Sequence, residues 1–418
     1  MKRRSIVALM LVAVVAAAVA ATTSGATKKA TSNTLTVWLQ TDAQSGWPDI
    51  VAAASQQFQS DHPGWTVNVQ YQSWGDHLQK LDTVLAAGGG SGSPDVVEMG
   101  NTETTKYMAA GAFANLSAAK SSFANSGSWL SGLAKSGTFG GKLYAVPYYA
   151  GSRVVTYRTD LFKKAGITKL PNSTAAYAAD AKKVFKVDSK KGFSPLYIAG
   201  TDWYFAMGFV FDYGGGIATQ VSGKWKGLLA SPKSIAGLTA YKNFFNSVSR
   251  ASKTTDESHP NPYDVYAQGQ AASMEGPSWF SCCVGKQYTA TTGQFVMPGH
   301  VAGTALPGFL GGSDLAVPVT SSNQSLATDW IKDFTSTSSE KALQAKGNIP
   351  NATNLLGSSV NERAAARSWF VPTAKHWVDV ENGNILRNML AQILTGKLSV
   401  QQAAQSASDN VASVLNQP

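Results

Sequence analysis

The sequence predicts an α/β protein built from two lobes, and three observations support this. Between residues 34 and 99, segments with the alternating apolar and polar pattern of strands take turns with segments that have the apolar spacing of helices. Without its first residues the chain still has about 390 residues, more than the roughly 250 to 300 at which a single core stops growing. Apolar residues make up 44% and charged residues 14% of the sequence, which excludes a disordered chain.

The first part of the chain has the order strand, helix, strand, helix, strand. The strands are predicted at "TLTVWLQ" (34–40), "WTVNVQY" (65–71) and "PDVVEM" (94–99). Strands that alternate with helices in this way form a parallel sheet, and ligands bind beyond the carboxyl ends of its strands. This rule selects the loops that follow the three strands, at 41–47, 72–74 and 100–104.

Later segments continue the mixture of strands and helices. Residues 141–166 are predicted to be rich in strands, and mainly helices follow as far as about residue 250. A strand is predicted at 313–319 and a single helix from Leu326 to Lys346, and the chain ends in two more helices. The glycine run at 88–93 follows a helix and lacks a lysine, so it is interpreted as a connector rather than a phosphate-binding loop.

The amino terminus has the features of an export signal. Three basic residues precede an apolar run over 6–21, and small residues of the kind that a signal peptidase reads follow it. The run is shorter than the ~20 residues that span a bilayer, which favours a cleaved signal over a membrane anchor. We expect a signal peptide over 1–26, a mature chain that begins near Ala21 or Thr27, and an exported protein without a lipobox cysteine.

Charge and motif content exclude several classes of protein. The formal net charge is +10, or +7 without the basic residues of the signal, and the excess is scattered rather than clustered, so no nucleic-acid partner is expected. The sequence contains neither H-E-x-x-H nor G-x-S-x-G around a serine, and its histidines have no metal-ligand spacing. We therefore predict no catalytic residues, no metal and no cofactor.

Five motifs resemble a known family. They are "SPDVVEMGNTET", "GKLYAVPYYAGSRVVTYRTDLFKKAG", "MEGPSWF", "LPGFLGGSDLAVP" and "ILTGKLSVQQAAQSA". In this order and spacing the chain resembles the sugar-binding proteins of bacterial ABC importers, the extracellular solute-binding family 1 that includes maltodextrin-binding proteins, and in particular its actinobacterial members. The resemblance implies a periplasmic-binding-protein-like fold, with hinge crossings and a ligand cleft between lobes formed by 27–149 plus 300–336 and by 150–299 plus 337–418.

The resemblance also implies which residues contact the sugar. The loop after the third strand would supply polar groups, the first crossing an arginine, the segment before a glycine run polar and aromatic groups, and the tryptophan after Gly-Pro a stacking surface, with one more aromatic near the end. The corresponding positions are Asn101, Thr102, Glu103, Arg153, Asp202, Trp203, Tyr204, Trp279 and Trp377.

The chemistry of a sugar agrees with these residue types. A sugar ring has an apolar face that aromatic rings can cover and an edge of hydroxyls that carboxylates, amides and guanidinium groups can bind. Asp42 and Trp74, from the first two selected loops, complete the candidate set. The alternatives are that the tryptophans pack in the core, that Asp42 caps a helix, and that Arg153 and Asp202 pair with other side chains.

The chain has two cysteines, the adjacent Cys282 and Cys283, just after Trp279. Cysteines of an exported protein are expected to pair. Neighbouring Cα atoms are ~3.8 Å apart, however, whereas ordinary disulfides need roughly 4.4 to 6.8 Å. Two alternatives stay open: a strained ring that stiffens the turn carrying Trp279, or two buried, unreacted thiols.

The expected function is capture of a di- or oligosaccharide outside the cell, followed by lobe closure and delivery to the permease subunits of an ABC importer. The protein is expected to be a monomer and not an enzyme, and a chitobiose-like sugar is the favoured ligand. One alternative is a secreted carbohydrate-active enzyme that uses carboxylates such as Asp202 and Glu275. Another is a sugar-sensing or adhesive protein that serves no transporter.

Overall fold

The computed structural model describes residues 33–74, 76–90, 92–257 and 259–418, so the expected signal peptide lies outside the described residues. The strands are β1 (Asn33–Gln40), β2 (Trp65–Gln72), β3 (Val96–Gly100), β4 (Thr138–Phe139), β5 (Lys142–Leu143), β6 (Ala145–Gly151), β7 (Arg153–Arg158), β8 (Ala218–Val221), β9 (Lys224–Gly227), β10 (Ser273–Pro277), β11 (Thr292–Phe295), β12 (Gly308–Phe309), β13 (Gly311–Ala316), β14 (Ile349–Pro350) and β15 (Ser368–Trp369). The α-helices are α1 (Thr41–Gly46), α2 (Pro48–Asp61), α3 (His77–Ala86), α4 (Thr104–Ala109), α5 (Ser131–Ser136), α6 (Thr159–Lys164), α7 (Thr174–Val187), α8 (Trp203–Asp212), α9 (Pro232–Val248), α10 (Pro262–Ala267), α11 (Gln324–Phe334), α12 (Thr337–Ala345), α13 (Val360–Ala365), α14 (Trp377–Asn382), α15 (Ile385–Thr395) and α16 (Val400–Leu415). Segments of 3-10 helix occupy Ser117–Ser122, Ser278–Cys283, Lys286–Thr291 and Thr353–Leu355.

The first half of the molecule is built on a mixed sheet with the strand order β14-β6-β13-β3-β1-β2. As predicted, β1 is parallel to both β2 and β3. Helices cover both faces: Leu35, Val37 and Leu39 pack with residues of α2 and α11, and Trp38 packs with Leu81 of α3. This two-sided burial explains why β1 is almost continuously apolar from Leu35 onward.

The second half surrounds a three-stranded antiparallel sheet with the order β10-β7-β11. Helix α8 lies at the centre of its core, and its sequence "WYFAMGFVFD" is apolar on nearly every side, as a helix enclosed by other elements requires. Helices α7, α9, α15 and α16 contribute their apolar faces to the same core. This half therefore has a hydrophobic core of its own.

The chain passes between the two cores where β6 leads into β7, where β12 leads into β13, and after β14. The packing differs from the expected lobe boundaries: Leu306 and Phe309 belong to the second core, whereas Leu343 and Ala352 belong to the first. The reason is that β14 extends the first sheet by pairing with β6. We propose lobes of about 33–150 plus 311–356 and about 153–309 plus 368–418, with the residues between them as crossings.

Two other predicted elements differ in the structure. The expected single helix from Leu326 to Lys346 is two helices, because Ser336 caps the second with a hydrogen bond from the Ser339 N–H to its side chain. Residues 159–164, expected within a strand-rich passage, form α6. Helix α15 ends as predicted at Gly396, whose φ of +76° favours glycine. Among the described residues, no helix is long and apolar enough to cross a membrane.

Candidate ligand-binding site

A cavity of about 330 Å³ lies in the second half, beside the first crossing. The elements β7, β10, α8, α15 and the 3-10 helix Ser278–Cys283 contribute to its walls. Four predicted residues line it: Arg153, Asp202, Tyr204 and Trp279. The other lining residues are Glu257, Asn261, Pro262, Glu275, Pro277, Phe280 and Arg387. Among these, sequence analysis considered only Glu275.

Arg153 joins two buried carboxylates at the base of this cavity. Its Nε donates to Glu275 Oε1 at 2.9 Å, and its Nη2 donates to Glu275 Oε2 at 2.6 Å and to Asp202 Oδ2. Burial raises the pKa of Glu275 to about 7, although Arg153 opposes this. Burial alone would lower the pKa of Arg153, but the charges of Asp202 and Glu275 raise it overall, so the guanidinium stays charged.

A second ion pair, between Glu257 and Arg387, lies in the same cavity. Arg387 Nη2 donates to Glu257 Oε1 at 2.9 Å, and Nη1 lies 2.8 Å from Oε2. Burial raises the pKa of Glu257 to about 7, and the charge of Asp202 adds to this effect while Arg387 opposes it. Sequence analysis missed this pair. Arg387 is the one charged residue of α15, which is a signal that could have selected it.

Trp279 provides an open aromatic surface at the cavity. Its side chain is 57% exposed, and its ring touches the ring of Phe280 edge-on, with centroids 4.7 Å apart. Tyr204 is half-buried, stacks on Trp203 at a centroid distance of 4.0 Å, and lies 5.9 Å from the Arg153 guanidinium. The rings of Trp279 and Tyr204 thus border the charged network, and more than half of the Trp279 side chain is exposed.

The structure places Trp203 and Trp377 in the core and not on the cavity wall. They are 3% and 1% exposed, their ring centroids are 6.0 Å apart, and the Trp377 Nε1 donates to Glu381 Oε1 at 2.6 Å. Their burial therefore favours the alternative of core packing, and the ligand contact of these two rings stays a prediction. Tyr204, the neighbour of Trp203 on the first turn of α8, faces the cavity instead.

In the first half, the ends of β1, β2 and β3 place Asp42, Trp74 and Glu103 near one another, as the strand rule predicted. Trp74 Nε1 donates to Asp42 Oδ2 at 2.5 Å, and the Trp74 side chain is 40% exposed. His77, which sequence analysis did not select, links the loop after β2 to the loop after β3. Its Nε2 is 3.0 Å from Glu103 Oε2, and its Nδ1 is 3.1 Å from the Trp74 carbonyl oxygen.

Both partners of His77 are hydrogen-bond acceptors, so the ring satisfies both only as an imidazolium. Burial lowers the pKa of His77, but the hydrogen bond to Glu103 and the charge of that carboxylate raise it overall. The ligand contact expected of Asn101 stays a prediction, and the structure gives this residue hydrogen bonds within the fold. It is buried, and its Nδ2 and N–H donate to the carbonyls of Leu310 and Gly312 at 2.9 and 3.0 Å, which ties the loop to β13. Thr102 is half-buried in the adjacent turn.

One helix of the second half, α14, contacts the first half close to the loop that contains Glu103. Helix α14 packs against α4, which Glu103 precedes, and α14 carries Glu381. Burial raises the pKa of Glu381 to about 7, and the negative charge of Glu103 adds to this rise. Carboxylates from the two halves are therefore close enough to influence each other.

Cys283 is disulfide-bonded, and Cys282 is the one other cysteine of the chain. The bond therefore joins neighbouring residues. Cys283 is also exposed. The alternative of two buried, unreacted thiols is wrong, and the ring between neighbours is the form present.

The two-lobed fold and this cavity define a ligand-binding protein. A family model described as "Bacterial extracellular solute-binding protein" matches residues 37–341, and the chain belongs to this family. It is 32% identical over 384 residues to the diacetylchitobiose binding protein DasA of Streptomyces coelicolor, an alignment that covers 89% of this chain and 88% of DasA. Membership places the chain among extracellular binding proteins and not among enzymes.

Solved structures confirm the two-lobed α/β fold. The maltose-binding periplasmic protein MalE of Listeria monocytogenes, in complex with maltose, matches with a TM-score of 0.76 at 21% identity, over 92% of this chain and 100% of MalE. The GacH receptor of Streptomyces glaucescens, known unliganded and with acarbose, matches with a TM-score of 0.74 at 20% identity, over 92% of this chain and 99% of GacH. At these identities the likeness concerns the fold.

Proposed function

We propose that the protein binds a di- or oligosaccharide outside the cytoplasm and delivers it to the membrane-spanning subunits of an ABC importer. The observation that carries this proposal is the pairing of a 57% exposed tryptophan, Trp279, with the buried network of Arg153, Asp202 and Glu275. The ring suits the apolar face of a sugar, and the charged groups suit its hydroxyls. DasA, whose name states a sugar ligand, is related over nearly the whole chain.

Lobe closure would complete the site. The residues that line the cavity come from the second half, whereas Asp42, Trp74 and Glu103 lie on the first half. A sugar that contacts both walls at once binds the closed arrangement more tightly and so shifts the protein towards it. The crossing at Gly151 and Ser152 is one of the segments about which such a hinge motion would occur.

The favoured ligand is a chitobiose-like disaccharide. The relative with which the chain shares 32% identity is named for diacetylchitobiose. We expect a monomer located in the periplasm or at the cell surface.

The geometry also supports binding rather than hydrolysis. The acids that an enzyme would use, Asp202 and Glu275, both accept hydrogen bonds from Arg153. A general acid must instead donate its proton to the substrate, and a nucleophile must be free to attack it. Arg153 opposes protonation of Glu275, which disfavours this residue as a general acid.

A thermal-shift screen of the mature protein against chitobiose, maltose, trehalose, cellobiose, xylobiose and their monomers tests the proposal. A ligand that binds only the folded state at ~100 times its dissociation constant adds about 2.7 kcal/mol, which raises the melting temperature by several degrees. A shift with one sugar that is recovered intact afterwards would support a binding protein. No shift with any sugar, or conversion of the sugar to products, would contradict it.

A further inference from the structure

The 3-10 helix Ser278–Cys283 carries Trp279 at one end and the disulfide at the other. Such helices have poorer hydrogen-bond geometry than α-helices, so additional contacts decide how firmly one is held. Ser278 fixes the first end: its N–H donates to the Ser152 carbonyl at 3.0 Å, and its carbonyl accepts from Gln294 Nε2 at 2.8 Å. The start of the segment is thus tied to the crossing and to β11.

Phe280 and Val284 hold the segment from inside. Both pack in a small apolar cluster with Tyr266 and Met274. The Phe280 ring lies directly over Gly276, where an added Cβ would come within 2.2 Å of the ring, so position 276 of the "MEGPSWF" motif has no room for a side chain. The two anchors are separated in sequence by Ser281 and the two cysteines.

Trp279 itself has few packing partners. Its ring meets Phe280 edge-on at 4.7 Å and lies tilted to Tyr263 at 6.1 Å, and more than half of its surface is exposed. Its orientation therefore depends on how rigidly the backbone between Ser278 and Val284 is held. A bond between adjacent cysteines closes a small ring through the backbone, and this restricts the dihedral angles of two of the residues between the anchors.

We infer that the disulfide between Cys282 and Cys283 positions Trp279 for stacking and makes ligand affinity depend on the redox state of this pair. In the oxidised form the ring fixes the spacing between the Phe280 and Val284 anchors and holds the indole towards the cavity. In the reduced form the segment gains conformational freedom. Ligand binding must then remove this freedom, which lowers the affinity. The effect on affinity rests on the proposed function, because it requires a sugar that stacks on Trp279.

The chemical step is reversible thiol–disulfide exchange with a dithiol. A thiolate of the dithiol attacks one cysteine sulfur, the bond between Cys282 and Cys283 breaks, and the released sulfur takes a proton. The second thiol of the reagent then displaces the other cysteine and closes the reagent's own disulfide, so two electrons pass to the protein. Outside the cytoplasm the oxidised form persists in the absence of such a reductant. Because Cys283 is exposed, the bond is accessible to the reagent.

The expected size of the effect is modest. Ordering one additional side chain on binding weakens affinity by about two- to tenfold, so reduction should raise the dissociation constant by that factor. Arg153 donates to Glu275 and Asp202, and the contribution of these hydrogen bonds should remain.

The test uses the mature protein labelled with fluorotryptophan. The Trp279 signal in the fluorine NMR spectrum is assigned by its loss in Trp279→Phe, and affinity for diacetylchitobiose is measured by calorimetry, each before and after dithiothreitol. The control is the double variant Cys282→Ser with Cys283→Ser, which carries no bond to reduce. A thiol assay before reduction should detect no free thiol, and two after it.

On reduction of the wild type we expect the Trp279 signal to shift or broaden and affinity to fall two- to tenfold, with no response in the double variant. An unchanged Trp279 signal, or two free thiols before reduction, would overturn the positioning role whichever sugar binds. If the signal responds but the oxidised protein binds none of the sugars, the positioning role stands and the proposed function fails. Reduction of the wild type alone still decides the matter if the double variant does not fold.

Discussion

Arg153 and Glu275 lie on neighbouring antiparallel strands, and the guanidinium of Arg153 donates to both oxygens of the Glu275 carboxylate. The same guanidinium also donates to Asp202 at the start of α8. One arginine therefore connects the first crossing, the strand that leads to Trp279 and the helix that presents Tyr204. This connection makes Arg153 a structural residue as well as a candidate ligand contact.

Replacement of Arg153 by alanine should destabilise the protein by about 3 to 5 kcal/mol, because it leaves two buried carboxylates without their countercharge. Urea denaturation at neutral pH measures this free energy of unfolding. The control is Arg363→Ala, at an exposed site, which should change stability by no more than about 0.5 kcal/mol. Equal effects of the two substitutions would contradict the buried network.

Replacement of Trp279 by alanine should weaken sugar binding by about 2 kcal/mol, or roughly thirtyfold, with little change in stability. The reason is that this ring is exposed and would contribute mainly to the ligand. Calorimetry with the sugar found in the thermal-shift screen gives the affinity. Trp279→Phe, which keeps an aromatic face, should recover part of the loss, and an unchanged affinity in Trp279→Ala would show that the site is elsewhere.

Replacement of Trp377 by alanine should have the opposite pattern. This side chain is 1% exposed, so its removal should cost about 3 to 5 kcal/mol of stability through the cavity it leaves. The melting temperature and the urea midpoint report the loss. A stable Trp377→Ala protein that has lost only sugar affinity would restore the interpretation of Trp377 as a ligand contact.

The stability that His77 contributes should decrease as pH rises. Its pKa in the folded protein is raised above the reference value of 6.5, so the contribution is fully present below about pH 6.5 and is lost as pH rises through the folded value. We expect the difference in unfolding free energy between wild type and His77→Gln to be largest near pH 6 and to shrink by about pH 9. A difference that is constant over this range would exclude the imidazolium link to Glu103.

Ionisation of Glu381 should destabilise the folded protein, whereas ionisation of a carboxylate in an ion pair stabilises it. Its pKa is raised from 4.5 to about 7, so the folded state binds more protons than the unfolded state, and ionisation costs stability as pH rises through this interval. Glu381→Gln should therefore stabilise the protein at about pH 8 relative to its effect at about pH 5, as measured by thermal melts at both pH values.

A matched comparison for Glu381 is Glu362→Gln. Burial would raise the pKa of Glu362, but hydrogen bonds from Ser359, Gly357 and Gln344 lower it to about 2. The carboxylate also completes the capping box of α13. Its substitution should destabilise the protein at about pH 8. If Glu381→Gln were destabilising at that pH to the same extent, the raised pKa that burial and the charge of Glu103 give Glu381 would be contradicted.

The wall of the first half could be predicted from sequence because it follows from local periodicity. Strands β1, β2 and β3 have clear boundaries, and parallel strands bring the residues after their carboxyl ends to one edge, so Asp42, Trp74 and Glu103 lie close together. His77 was missed because its role depends on two contacts in space and not on any spacing in the sequence.

The second wall was less predictable because its parts are distant in sequence. Glu257 and Arg387 are separated by 130 positions, and no motif marks either residue. Trp203 and Tyr204 are adjacent aromatic residues, and only packing decides that the first enters the core while the second faces the cavity. The helix break at Ser336 was missed because the apolar spacing continues across it, although a serine cap ends one helix and starts another.

The position of β13 in the first sheet has a consequence for how the chain acquires its structure. This strand, residues 311–316, lies between β3 and β6 and pairs with both. Strands β1, β2 and β3 pair with one another early in synthesis, but β6 stays separate from them until a segment made more than 150 positions after β6 arrives, and such distant pairings form slowly. During synthesis the first half would remain an open, incomplete layer with unpaired strand edges. It could become a stable lobe only after most of the second half had been made.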